Sequence, residues 1–145
     1  MEYIMHIKTY YYLPEDAKKI RINVFVEEQG FQNELDNTDN IATHLVLYDN
    51  GTPIATCRVF HGEQNGEYIL GRLAVIKEYR GKNIGKLMIE EAEKSVLKKG
   101  GTSLILHAQC RAKSFYEKSG YCEFGEIGDE EGCPHIWMKK DLKED

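Results

Sequence analysis

The chain has 145 residues, 41% hydrophobic and 30% charged, with a formal net charge of −5 at pH 7. The simplest reading is one domain, residues 1–145, large enough to bury its own core. The acidic balance excludes broad non-specific nucleic-acid binding, and no apolar run approaches the roughly 18 residues of a membrane span.

The opening stretch, MEYIMHIKTYYYLPED, is mixed and polar. It has no basic start followed by an apolar segment, so no signal peptide is expected. Tyr10, Tyr11 and Tyr12 read as packing residues. Pro14, Glu15 and Asp16 predict a helix start, with proline in the first turn and acids at the positive end of the dipole. Ala17, Ile20, Val24 and Phe25 supply its apolar stripe, and EEQGFQNELDNTDN follows as a polar loop. ATHLVLYDNGTPIATCRVF predicts two strands joined at Asn50-Gly51, a strong hairpin signal. HGEQNGE is a second turn, and residues 68–75, YILGRLAV, predict a central strand that is apolar apart from Arg72.

Ile84, Leu87, Met88, Ala92 and Val96 recur at helical spacing. Lys98-Lys99-Gly100-Gly101 ends that helix with cations and then glycine. TSLILHA predicts a strand, RAKSFYEKSG a short helix, and YCEFGEI and HIWMKKDL two closing strands around GDEEGCP. A strand, a crossover helix and a further strand suit a parallel pair, while the hairpins suit antiparallel pairs. The expected fold class is therefore α/β (α+β), a mixed sheet with helices packed on it. Cys57, Cys110, Cys122 and Cys133 are far apart and form no C-x-x-C pair. Reduced, mostly buried thiols in a cytoplasmic protein are expected, with no metal site.

Against the acidic trend, Arg80, Lys82 and Lys86 surround Gly81 and Gly85 where the long helix begins. Unsatisfied amides at a helix N-terminus and the helix dipole together favour a phosphate. An ordinary turn with a solvated basic rim is the plainer alternative. The spacing fits neither a Walker loop, because Leu87 follows Lys86 and three residues separate the glycines, nor the dinucleotide G-x-G-x-x-G.

The arrangement resembles the acetyl-CoA loop of the GNAT superfamily of N-acetyltransferases, Gln/Arg-x-x-Gly-x-Gly/Ala. Arg80 and Gly85 match it, and Asn83 stands where the first glycine is usual. LGRLAVIKEYRGKNIGKLMIEEAEK is similar to the family's central strand, loop and helix. AKSFYEKSGY is similar to its second CoA helix, with Gln109 where an Asn is common. RINVFVEEQGFQNELDNTD, LHAQ and GCPHIWMKK resemble the ElaA-like branch. The resemblance implies a GNAT fold, a central sheet of about six to seven strands flanked by about four helices. It implies acetyl-CoA as cosubstrate, with no metal. The pyrophosphate would lie against Arg80, Gly81, Lys82, Asn83, Ile84, Gly85 and Lys86. The thioester would lie beside the backbone of Leu73, Ala74 and Val75, and Gln109, Phe115 and Tyr116 would complete the donor site.

Within that resemblance Tyr116 matches the tyrosine near the CoA sulfur, where a protonated phenol donates to a thiolate. Packing beside Phe115 is its plainer reading. Glu28 or His107 is the candidate general base, although Glu27 and Glu28 also read as a solvated helix end. Glu28, Arg72, His107 and His135 are candidate acceptor contacts, Arg72 being either paired in the core or aimed at an anionic group. The expected activity is N-acetyl transfer to a primary amine by direct attack. A small-molecule amine is favoured over a protein amine, since the chain shows no extra domain or tail. The alternative is a non-catalytic acyl-CoA sensor or partner-binding module. Neither nucleic acid nor membrane is an expected partner, and a homodimer is compatible with this reading.

Overall fold

The computed structural model describes residues 5–32 and 35–142; Asn33 and Glu34 of the polar loop lie outside the described residues. Its strands are β1 (Met5–Tyr10), β2 (Thr43–Asp49), β3 (Thr52–His61), β4 (Glu67–Val75), β5 (Ser103–Gln109), β6 (Cys122–Glu130) and β7 (Cys133–Asp141). They form one mixed sheet in the order β1-β2-β3-β4-β5-β7-β6. Only β4 and β5 pair in parallel. The helices are α1 (Glu15–Arg21), α2 (Ile84–Lys98) and α3 (Lys113–Glu117), and α1 widens into π-helical turns over Ile22–Glu28. The described residues thus hold three α-helices rather than about four.

Local chemistry accounts for the turns. Asn50 and Gly51 have φ of 50° and 86°, the left-handed pair that a two-residue hairpin needs. Glu131 and Gly132 repeat this, at 50° and 81°, between β6 and β7. The expected seven-residue loop GDEEGCP therefore shrinks to two residues.

The sheet is covered on both faces. Met88, Ile89, Ala92 and Val96 of α2 pack on Leu45, Leu47, Cys57, Val59, Leu70, Leu104 and Leu106. Ala17, Ile20 and Val24 pack on Val46, Tyr48 and Ala74 of the opposite face. The strand β1 has no counterpart in the sequence reading. It pairs with β2 at the sheet edge, and its last residue, Tyr10, is half-buried with its hydroxyl 2.6 Å from that of Tyr48. Tyr11 and Tyr12 are exposed. All four cysteines are free, but only Cys57 is buried, and Cys122 is exposed. No helix among the described residues is long and apolar enough to cross a membrane.

Candidate active site

The parallel pairing of β4 with β5 runs only from Glu67↔Ser103 to Leu70↔Leu106. Beyond it, β4 pairs with β3 alone and β5 with β7 alone. A bulge accompanies the parting. Arg72 and Leu73 lie between the Gly71↔Arg58 and Ala74↔Thr56 pairs, opposite the single residue Cys57. Arg72 takes φ 52° there, a left-handed conformation unusual for an arginine. A cavity of about 1020 Å³ opens at this gap, and Leu73, Ala74 and Val75 form part of its wall.

The N-terminus of α2 meets the same cavity through Asn83, Ile84, Gly85 and Lys86. The 15-residue helix has no side-chain cap there, so its first amides and dipole point at the cavity mouth. Asn83 takes φ 62°, the left-handed backbone that asparagine tolerates better than most residues. Asn83→Gly is expected to leave the melting temperature unchanged or raise it. Asn83→Val should cost about 1–2 kcal/mol from left-handed strain, read by thermal unfolding of both variants.

The two glycines of the turn serve different ends. Gly81 has φ 79° and open space around it, whereas a side chain at Gly85 would come within 2.9 Å of the Phe115 ring. Gly85 thus lets α2 and α3 meet. The three cations also part company. Arg80 lines the cavity but turns its guanidinium onto Glu28, donating Nη1 to Oε2 at 2.9 Å and Nη2 to Oε1 at 2.7 Å. Its Nε donates to the Val75 carbonyl at 3.0 Å. Lys82 stands over the Tyr79 ring and is not among the residues lining the cavity; Lys86 is. Gln109 lines it too, with its amide engaged at both ends by Gln29 and Arg111.

Tyr116 and Phe115 reach the cavity from α3. Burial, with a smaller contribution from Cys57, raises the Tyr116 phenol pKa well above its ordinary value, so this hydroxyl keeps its proton near neutral pH. Across the gap, His107 stacks on Trp137 with ring centres 4.7 Å apart. Its Nδ1 lies 2.5 Å from Glu130 Oε1. A carboxylate only accepts, so Nδ1 carries the proton and Nε2 the lone pair of the neutral ring. Gly128 leaves Nε2 uncovered, since a side chain there would begin 4.0 Å away. His135 is buried. Its Nδ1 donates to the Cys133 carbonyl at 2.8 Å, and its Nε2 lies 3.4 Å from the other Glu130 oxygen.

The two candidate bases therefore differ. Hydrogen bonds from Arg80 hold the Glu28 carboxyl below its ordinary pKa, and Glu28 is not among the cavity-lining residues. Both facts disfavour it as a proton acceptor in the cavity. Arg72 does line the cavity, with Nη2 3.3 Å from Asp36 Oδ2.

The sequence matches the acetyltransferase (GNAT) domain over residues 12–142. The chain belongs to the GNAT acetyltransferase family. YjcF of Bacillus subtilis, described as an uncharacterised N-acetyltransferase, is 34% identical over 130 residues, covering 88% of this chain and 91% of that one. ElaA of Escherichia coli is 26% identical over 129 residues, 86% of this chain and 84% of its own. The ElaA crystal structure superposes with a TM-score of 0.83 at 22% identity, covering 94% of this chain and 99% of that one. An acyl-CoA N-acyltransferase from Pseudomonas aeruginosa superposes at 0.81 with 24% identity, covering 96% and 99%.

Membership in the GNAT family makes this an acyl-CoA-dependent acyltransferase. The site suits that cosubstrate: uncapped amides lie at one end and a parted strand pair at the other. Several residues of this GNAT site escaped the sequence reading. Asp36, Arg58, Phe60, Gly71, Glu130 and Trp137 all line the cavity. An arginine within an apolar strand is the one signal that could have found Arg58. No local pattern marked Glu130 or Gly71.

Proposed function

We propose that this GNAT protein transfers acetyl from acetyl-CoA to a primary amine on a small molecule by direct attack. The observation that carries the reading is the parting of β4 from β5 in line with the uncapped start of α2, with Tyr116 and His107 both on the cavity wall. The helix amides and Lys86 would hold the pyrophosphate. A backbone N–H of the parted β4 segment would stabilise the oxyanion that develops on the thioester carbonyl. The neutral amine forms the C–N bond as the C–S bond breaks. His107 takes the proton lost by nitrogen, directly or through one water, and Glu130 holds the ring for that task. Tyr116 gives its proton to the departing sulfur. The products are the N-acetylated amine and CoA thiol. The aromatic side chains Phe25, Phe31 and Trp137 wall the acceptor half, which suits a small molecule more than a protein chain.

Thiol release from acetyl-CoA over a panel of small primary amines tests this directly. Binding of acetyl-CoA by calorimetry with no release for any amine would replace the enzyme by a sensor. Two variants separate the candidate bases. His107→Gln is expected to lower kcat about 10²-fold and alter the acidic limb of the pH–rate profile. Glu28→Gln should leave that profile in place and raise the KM for acetyl-CoA, because Arg80 loses the partner that orients it. A profile for His107→Gln that superimposes on wild type would remove His107 as the base.

A further inference from the structure

One buried donor beside the reacting gap is left without an acceptor. Arg58 is 4% exposed and forms part of the cavity wall. Its Nη1 donates to Asp36 Oδ1 at 2.7 Å and to Asp39 Oδ1 at 2.8 Å, and its Nη2 to Asp36 Oδ2 at 3.1 Å. Its Nε is buried and has no hydrogen-bond partner among the described residues. That edge of the guanidinium faces Gly71, where an added side chain would begin 3.6 Å from Nε. Glycine at this place keeps open the space over the donor.

The sheet register puts this donor in line with the chemistry. Arg58 pairs with Gly71 across β3 and β4. Gly71 follows Leu70, and His107 follows its partner Leu106 on β5, so Gly71 and His107 are neighbours where the strands part. His107 in turn pairs with Trp137 on β7. The row Arg58, Gly71, His107, Trp137 therefore runs straight across the sheet, with a cation at one end, an open floor, and the candidate base beyond it.

We propose that the acceptor amine also carries a carboxylate, and that Arg58 Nε binds this carboxylate over Gly71. The proposal rests on the acetyl-transfer reading for the identity of the other end of the molecule, the amine. A carboxylate is the acceptor that best matches a guanidinium edge. Arg58 itself meets Asp36 and Asp39 through its Nη atoms, so its Nε–H is the donor that remains for a ligand. Asp36 and Asp39 take Nη hydrogens of Arg58 and neither accepts from Nε. At the opposite wall Glu130 and Glu131 supply negative charge, which favours the ammonium end. The acceptor then lies with its carboxylate toward β3 and its nitrogen at the gap. An amine without a carboxylate would leave the buried Nε–H unpaired, the situation that gives strong discrimination against analogues lacking a polar group.

The test is calorimetric titration of CoA-loaded protein with amine pairs that differ only in a carboxylate: phenylalanine and phenethylamine, lysine and cadaverine, 5-aminopentanoate and butylamine. In at least one pair the carboxylated member should bind at least tenfold more tightly. Arg58→Gln would also release Asp36 and Asp39, so the informative variant is Gly71→Ala. Its backbone does not need left-handed φ, and its new methyl group makes only ordinary contacts, so its melting temperature should match wild type. It should weaken the carboxylated member at least tenfold and leave the decarboxylated member and acetyl-CoA unchanged. Equal affinity within every pair, absence of binding by all members, or an undiminished affinity in Gly71→Ala would overturn the proposal. Because the readout is binding, failure of acetyl transfer shows separately, as tight carboxylate-dependent binding without thiol release.

Discussion

Tyr116→Phe is expected to lower kcat about 10²-fold, the lower end of the range for losing a general acid. The ring and its edge contacts with Phe115 and Tyr121 survive the change, and only the hydroxyl is lost. The thiolate must then leave unprotonated or wait for solvent, and because it is a fair leaving group the loss stays near the lower limit. Raising the pH should not imitate the variant below about pH 10, because burial holds the wild-type phenol protonated beyond its ordinary range. Acetyl-CoA affinity should hardly change, since the proposed phosphate anchor is at the start of α2. Steady-state kcat measured beside the acetyl-CoA dissociation constant decides the point. Full activity in Tyr116→Phe would leave Tyr116 as a packing residue.

The largest stability effect is expected at Asp39, which is 4% exposed in the short helical turn Asn37–Asn40. It accepts Arg21 Nη1 on Oδ1 at 2.8 Å and Arg21 Nη2 on Oδ2 at 3.1 Å, and Arg58 Nη1 on Oδ1 at 2.8 Å. Arg21 is 1% exposed. Removing the charge of one partner from such a cluster leaves buried cations uncompensated. Asp39→Asn should therefore cost about 3–5 kcal/mol, measured by urea unfolding at pH 7. The pH dependence has a definite sign. Burial acts to raise the Asp39 carboxyl pKa, but hydrogen bonds from Arg21 and Arg58 outweigh it and hold the group down at about 2, against an ordinary 3.8. A depressed pKa contributes stability that is complete above the ordinary value and is lost as pH falls through the folded one. The gap between wild type and Asp39→Asn should thus be constant from pH 7 to about pH 5 and narrow from about pH 4 toward pH 2. A gap below 1 kcal/mol at pH 7 would show that the pair contributes little net stability.

These two residues show how differently the site was written into the chain. Tyr116 was legible as a candidate because its motif is local: a short helix closed by Gly120, with an aromatic pair about one turn before the stop. Asp39 was not, because it lies in a polar run that reads as ordinary loop, and its meaning depends on arginines 18 residues before it and 19 after. Glu28 was legible as a candidate, but its contact was not. Its partner Arg80 is 52 residues away, so no local pattern could show that the two side chains share one contact.

By itself the sequence determined whatever depends on a few consecutive residues. The left-handed Asn50-Gly51 turn, the apolar period and glycine stop of α2 and the turn at Asn83 follow from backbone sterics and side-chain spacing within one element, and the parallel crossover from the order strand, helix, strand. These suffice for the fold class, though not for the edge strand β1. Tertiary structure alone decided which side chains share the cavity wall at the gap. Which residues face the gap depends on strand register, and register brings Arg58, Gly71, His107 and Trp137 into one row from positions spread over 79 residues. A strand's local pattern states that a side chain alternates between faces. It does not state which neighbour stands beside it, and here register alone sets Gly71 beside Arg58.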